Sequence, residues 1–188
     1  MLDWRESDRI PRARELYYSR RSEATFGLLV HNTGGFTTIE ADNVYHINKD
    51  WDGARAPHIA YHLWVPFDHR GFLRAYGVEF DEANPPDAVV VWCNHLWERT
   101  WHGTKANDSC IGLACQVDGE AYGLSDGQQL AVRWTVDEWL PSQGIAIPWS
   151  HVWGHGETPK VYGGGPDWAN NTVCPGRQVL PQIEAMRK

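Results

Sequence analysis

The strongest constraint on this chain is a set of short apolar runs, each of strand length, spaced between capped or proline-marked segments. Phe26-Gly-Leu-Leu-Val30, Ala88–Trp92, Cys110–Val117 and Ile145–Trp149 are nearly unbroken apolar stretches. Runs of that length read as buried strands, because a helix needs a longer segment. Ile59-Ala-Tyr-His-Leu-Trp-Val65 alternates instead, which predicts a strand with Tyr61, Leu63 and Val65 on one face and His62 and Trp64 on the other. Between the runs, Thr37-x-x-Glu40 and Ser125-x-x-Gln128 have capping-box spacing, so helices are expected to about Asn48 and to a stop at Pro141. In the second of these, Leu130, Trp134 and Trp139–Leu140 make the apolar stripe. Pro11 fits the first turn of a helix to about Arg21, and Gln178–Arg187 reads as a closing helix. Segment 67–90, with Asn84, Pro85 and Pro86, looks like a hairpin or excursion, and Gly163–Pro166 is a loop by composition. Strands alternating with helices give an α/β fold with one central mixed β-sheet flanked by helices.

At 188 residues the chain has the size of one domain, with 42% hydrophobic and 22% charged residues. No apolar stretch approaches the roughly 20 residues needed to span a bilayer, so no membrane insertion is expected. The first 20 residues alternate charges and lack an apolar h-region, so no signal peptide is expected. A net charge of −7 argues against nucleic acid as a partner. Residues 1–21 run the other way, with six Arg against four acids, which suits the solvated face of an N-terminal helical arm. The organisation expected is therefore an arm over 1–23 and a domain over 24–188. The four cysteines, at 93, 110, 115 and 174, form no CxxC pair, and without an export signal a disulfide framework is not expected.

Three residues fall where strands end: His31 after FGLLV, His155 after HVWG, and Cys174 in Thr172-Val-Cys-Pro-Gly176. A catalytic zinc typically takes three ligands from His, Cys or carboxylate and keeps a fourth position open. Spacing alone does not select this triple, since nine His and four Cys allow many others. His151, four residues before His155, is a rival, and Asp167 is a rival third ligand in the 18-residue gap between His155 and Cys174.

The segments around these residues follow one another in a specific order: FGLLVHNTGG, IAYHLWV, TWHGTKANDSCIGLACQVDGE, SDGQQLAVRWTVDEWL, VWGHGE and TVCPG. In that order they resemble the type 2 N-acetylmuramoyl-L-alanine amidases, whose fold is shared with peptidoglycan recognition proteins and amidase-type phage lysozymes. The resemblance runs from about residue 24 to the C-terminus and leaves 67–90 largely outside. It implies one Zn2+ per chain held by His31, His155 and Cys174, and hydrolysis of the amide between N-acetylmuramic acid and L-alanine in peptidoglycan. It also implies catalytic roles for Tyr61 and Thr172, and substrate-binding roles for His102 and Asn107. One departure stands out: some members carry a catalytic glutamate at the position of Ala114, so the variant without that carboxylate is expected here.

The resemblance further implies a peptidoglycan or muropeptide substrate and a monomer. The role expected is that of a phage or prophage endolysin, held in the host cytoplasm until release to the wall. The alternatives are a cytoplasmic muropeptide-recycling amidase, a hydrolase of some other amide, and a non-catalytic peptidoglycan-binding module. Non-catalytic members typically lose the cysteine ligand, which this chain keeps.

Overall fold

The computed structural model describes residues 1–13, 18–49, 56–102, 106–157 and 172–188. A six-stranded mixed sheet forms its centre. The strands are β1 (Leu2–Asp3), β2 (Gly27–Asn32), β3 (Leu63–Val65), β4 (Val91–Trp92), β5 (Cys110–Cys115) and β6 (Val152–Gly154). Their order is β1-β4-β3-β5-β2-β6, and only the β3–β4 pair is antiparallel. The helices are α1 (Ile39–Asn48), α2 (His69–Ala75), α3 (Ala106–Ser109), α4 (Asp126–Trp134), α5 (Leu140–Ser142) and α6 (Leu180–Met186).

The apolar character of the central strands follows from cover on both faces. Leu28, Val30, Ile111, Leu113 and Cys115 pack toward Ala131, Val132, Val136 and Leu140 and toward Ile183 and Met186 of α6. On the other face, Trp64 and Ala114 meet Ile39 of α1 and Phe72 and Leu73 of α2, while Leu29 meets Ala106 of α3. All four cysteines are free, and Cys93, Cys110 and Cys115 are buried. Among the described residues no helix is long and apolar enough to cross a membrane.

The Ser125 capping box forms as its spacing predicts: the Ser125 side chain accepts from Gln128 N–H, and the Gln128 side chain accepts from Ser125 N–H. Ser125→Ala is expected to lower unfolding stability by about 1 kcal/mol, as measured by denaturant titration. The helix it opens differs beyond that point. A π turn at Thr135–Trp139 joins α4 to α5, and Leu140 N–H reaches back to Thr135 O. In a regular α-helix the ring of Pro141 would clash with the carbonyl four residues earlier, and the wider turn lets the helix run past it to Ser142. The buried stripe is Ala131, Val132, Thr135, Val136, Trp139 and Leu140 rather than one through Leu130, which is exposed.

Other expectations shift for identifiable reasons. The first helix is capped by Thr38, whose side chain accepts from Ala41 N–H, not by Thr37. Glu40 is engaged by the Tyr76 hydroxyl and does not complete a box. Segment 67–90 contains α2, capped by Asp68, so it is not a plain hairpin. The strand expected at Ile145–Trp149 lies instead at Val152–Gly154, because Pro148 has no N–H for a ladder and leads into a 3-10 turn at Trp149–His151.

The N-terminus is part of the sheet. Leu2 N–H donates to Val90 O and Trp4 N–H to Trp92 O, and Trp4 and Ile10 are buried. The helix expected from Pro11 to about Arg21 lies partly outside the described residues; at its far end Arg20 forms a β-bridge with Glu98.

Candidate metal centre

Register alone brings the first two candidate ligands together. In the parallel pair β2–β6, Val30 lies opposite Gly154, so His31 and His155 follow as neighbours at the carboxyl ends of adjacent strands. Their rings are 4.6 Å apart between centroids. That end of a parallel sheet is where ligands of α/β folds commonly sit. His155 opens a 3-10 turn directly after β6, which takes its ring off the strand and over His31.

Cys174 arrives from a separate loop that is tied down at several points. Gly156 N–H donates to Cys174 O at 2.6 Å, and the Asn32 side-chain amide donates to Pro175 O at 2.8 Å. Asn32, the residue after His31, thus links the two ligands. Cys174 Sγ stands 3.7 Å from His31 Nδ1. One donor atom from each of His31, His155 and Cys174 lies within 4.8 Å of the others.

The close backbone contacts that hold this loop require glycine. A Cβ at Gly119 would lie 1.7 Å from Pro175 O, and one at Gly156 would lie 2.6 Å from Thr172 O. Gly119→Ala is therefore expected to displace the Cys174 loop and weaken divalent-cation binding with little change in secondary structure. Zinc titration alongside far-UV circular dichroism checks this.

His31 has two faces, and both are used. Its Nε2 lies 3.3 Å from His102 Nδ1, and His102 Nε2 lies 3.2 Å from Cys110 O. Burial pushes the His31 pKa well below its ordinary value, that of His155 down to about 4 and that of His102 down to about 3. All three imidazoles are thus neutral, the form that binds metals. Burial pushes the Cys174 thiol up to about 12, so a nearby cation is what would hold it as thiolate.

The other residues singled out by sequence take defined places. The Tyr61 ring stands 5.1 Å from that of His31 and 5.1 Å from that of His46. Burial raises its pKa well above the ordinary value, so the phenol keeps its proton and is a donor. The face expected for Tyr61 is corrected. Leu63 and Val65 point into the core under α4, whereas Tyr61 packs on the opposite side with Ile59 and Trp64. Regular strand begins only at Leu63, and the Asn94 side chain clamps Ile59 O at 2.8 Å and Tyr61 O at 2.6 Å, which breaks the alternation.

His62 is fully buried and structural in its contacts: Gly112 N–H donates to its Nδ1, and its Nε2 lies 2.9 Å from Glu98 O. Thr172 Oγ1 accepts from Cys174 N–H at 3.1 Å. Asn107 is buried within α3. Ala114 lies opposite His31 in the sheet, so no carboxylate approaches His31 from that position. His151 is turned away, its ring tilted against that of Phe26 at 4.3 Å and stacked on that of Trp153, and Glu157 is paired with Arg187. Asp167 lies outside the described residues.

Sequence reasoning missed Asn94, Gly112, Gly119 and Gly156. The only signal for the glycines was their presence beside chemically loaded residues, and for Asn94 there was none.

The fold is similar to several solved structures. N-acetylmuramoyl-L-alanine amidase LysC from Clostridium intestinale URNW superposes with a TM-score of 0.59 at 14% identity, covering 94% of this chain and 95% of that one. Drosophila PGRP-LB gives 0.66 at 13% identity, covering 98% and 92%. The Ph2119 endolysin from Thermus scotoductus MAT2119 bacteriophage Ph2119 gives 0.59 at 14%, covering 99% and 97%. Comparison with curated protein sequences yields no match. The family model for N-acetylmuramoyl-L-alanine amidase matches residues 22–177, a span that takes in β2 to β6 and all three candidate ligands. By that match, the chain belongs to the N-acetylmuramoyl-L-alanine amidase family.

Proposed function

We propose that this protein is a zinc-dependent N-acetylmuramoyl-L-alanine amidase that cuts peptidoglycan between the muramic acid lactyl group and L-alanine, and that it serves as an endolysin. The observation that carries this reading is the convergence of His31, His155 and Cys174 donor atoms within 4.8 Å at the carboxyl ends of two adjacent strands. Two neutral imidazoles and one thiol are a donor set suited to zinc with one open coordination position. A zinc ion held there supplies Lewis acidity, polarising an amide carbonyl and making water nucleophilic near neutral pH.

The chain's own contribution is a set of oriented donors. Tyr61, held against His31 and clamped through its carbonyl by Asn94, presents a protonated phenol to the oxyanion that develops on the scissile carbonyl. Thr172 accepts from Cys174 N–H, which leaves its hydroxyl proton available as a second donor. With alanine at 114 there is no carboxylate base on β5, so these donors carry the protein's share of the chemistry. The endolysin role draws support from the likeness of the fold to a clostridial amidase and a phage endolysin.

The experiment is digestion of intact sacculi and of soluble muropeptides by the zinc-loaded protein, with products resolved by mass. Stem peptides with a free L-alanine amino terminus, released from sacculi and leaving intact glycan, are expected. Cleavage of soluble fragments alone would make it a recycling enzyme. Binding to sacculi without cleavage would make it a recognition module.

A further inference from the structure

We infer that His102 is a positioning residue for the metal centre: it fixes the proton of His31 on Nε2 and so leaves the Nδ1 lone pair facing Cys174 and His155. The inference rests on the metal site proposed above and deepens it by assigning a residue behind the ligands.

Donor and acceptor capacities fix the two tautomers. Cys110 O is a carbonyl and can only accept, so the 3.2 Å contact requires a proton on His102 Nε2. Neutral imidazole carries one ring proton, which leaves His102 Nδ1 as an acceptor. The group facing that acceptor at 3.3 Å is His31 Nε2, which must therefore donate. The remaining nitrogen of His31, Nδ1, is then unprotonated, and it is the one 3.7 Å from Cys174 Sγ. Metal-binding histidines characteristically donate their second N–H to an outer partner, which fixes both tautomer and ring orientation.

Packing makes the arrangement specific. His102 is 4% exposed, and its ring stands at 89° to that of His31. Gly112 on β5 provides the space: a Cβ there would lie 2.6 Å from the His102 ring. His62 closes the other side, with its ring 5.7 Å from that of His102, and its own hydrogen bonds to Gly112 N–H and Glu98 O hold it there. With both ring nitrogens engaged inside the protein, His102 acts through His31 rather than on a substrate.

The test has two arms. Long-range 1H–15N NMR on metal-free protein reads the His31 tautomer directly: a proton on Nε2 is expected, and a proton on Nδ1 would overturn the inference. In the second arm, zinc affinity is measured by competition with a chelating indicator for the unmodified chain, His102→Ala and His102→Asn. The alanine variant is expected to bind zinc about tenfold to a hundredfold more weakly. The asparagine variant, whose Oδ1 takes the place of Nδ1 as acceptor, is expected to recover most of that loss.

Equal weakening in both variants would mean that His102 only fills space, and unchanged affinity in both would also overturn the assignment. Because neither arm measures amide hydrolysis, a protein that binds zinc but cuts no peptidoglycan would leave this inference standing while ending the functional one. Failure of the unmodified chain to bind zinc would end both readings, since His102 would then have no metal centre to position.

Discussion

Cys174→Ala is expected to lose zinc and, with it, peptidoglycan hydrolysis. The thiol is one of three protein donors, so its removal should cost more than the roughly tenfold to hundredfold typical of an outer partner such as His102. The loop should survive the change, because it is held by Asn32, Gly119 and Gly156 through backbone groups rather than by sulfur. Metal analysis after exhaustive dialysis, with circular dichroism as a control for folding, checks this. His151→Ala is expected to keep its zinc, since that ring is stacked on Trp153 with its Nδ1 against Phe26 O. Full retention of metal in Cys174→Ala would move the third ligand elsewhere, with Asp167 the sequence's own rival.

The second large effect is expected at Tyr61. Tyr61→Phe removes one hydroxyl and keeps the ring packed between His31 and His46. Zinc binding and folding should be preserved, while turnover falls at least about tenfold and by as much as the roughly 10²–10³ of a well-placed oxyanion donor. His62→Ala should show the opposite profile. It strands Gly112 N–H and Glu98 O in a buried setting, a loss of about 1–3 kcal/mol, and should change the chemical step far less. Steady-state rates on purified peptidoglycan and a denaturant titration of each variant separate the two. A catalytic loss at His62 with none at Tyr61 would contradict the arrangement described here.

Local signals in the sequence proved durable where the chemistry is itself local. The Ser125–Gln128 capping box needs only residues within one turn, and it forms as spacing predicts. The apolar runs at 26–30 and 110–117 became the central strands because burial on both faces leaves no other composition. The failures have both origins: Glu40 is drawn off its capping box by the Tyr76 hydroxyl, while Pro148 alone displaces the strand expected at 145–149. β1 is two residues that pair with a strand some 90 positions away, and no periodicity can announce that. The face of Tyr61 was misread because an asparagine on another segment pulls the backbone out of pleat.

The candidate site divides the same way. His31 is visible as the end of an apolar run, whereas His155 follows the short segment HVWG, which proved to hold β6 in place of 145–149. Cys174 became legible only through resemblance, since 18 residues separate it from His155. The glycines at 112, 119 and 156 matter by what they leave room for, which is a property of the neighbours and not of the glycine.

The proposed function rests on a single cation site built from one sulfur and two imidazole nitrogens. X-ray absorption at the zinc edge on the metal-loaded protein tests it most directly. One Zn–S distance of about 2.3 Å, two imidazole Zn–N distances of about 2.0–2.1 Å and one lighter ligand in the open position are expected. A first shell without sulfur, or with two sulfurs, would contradict it.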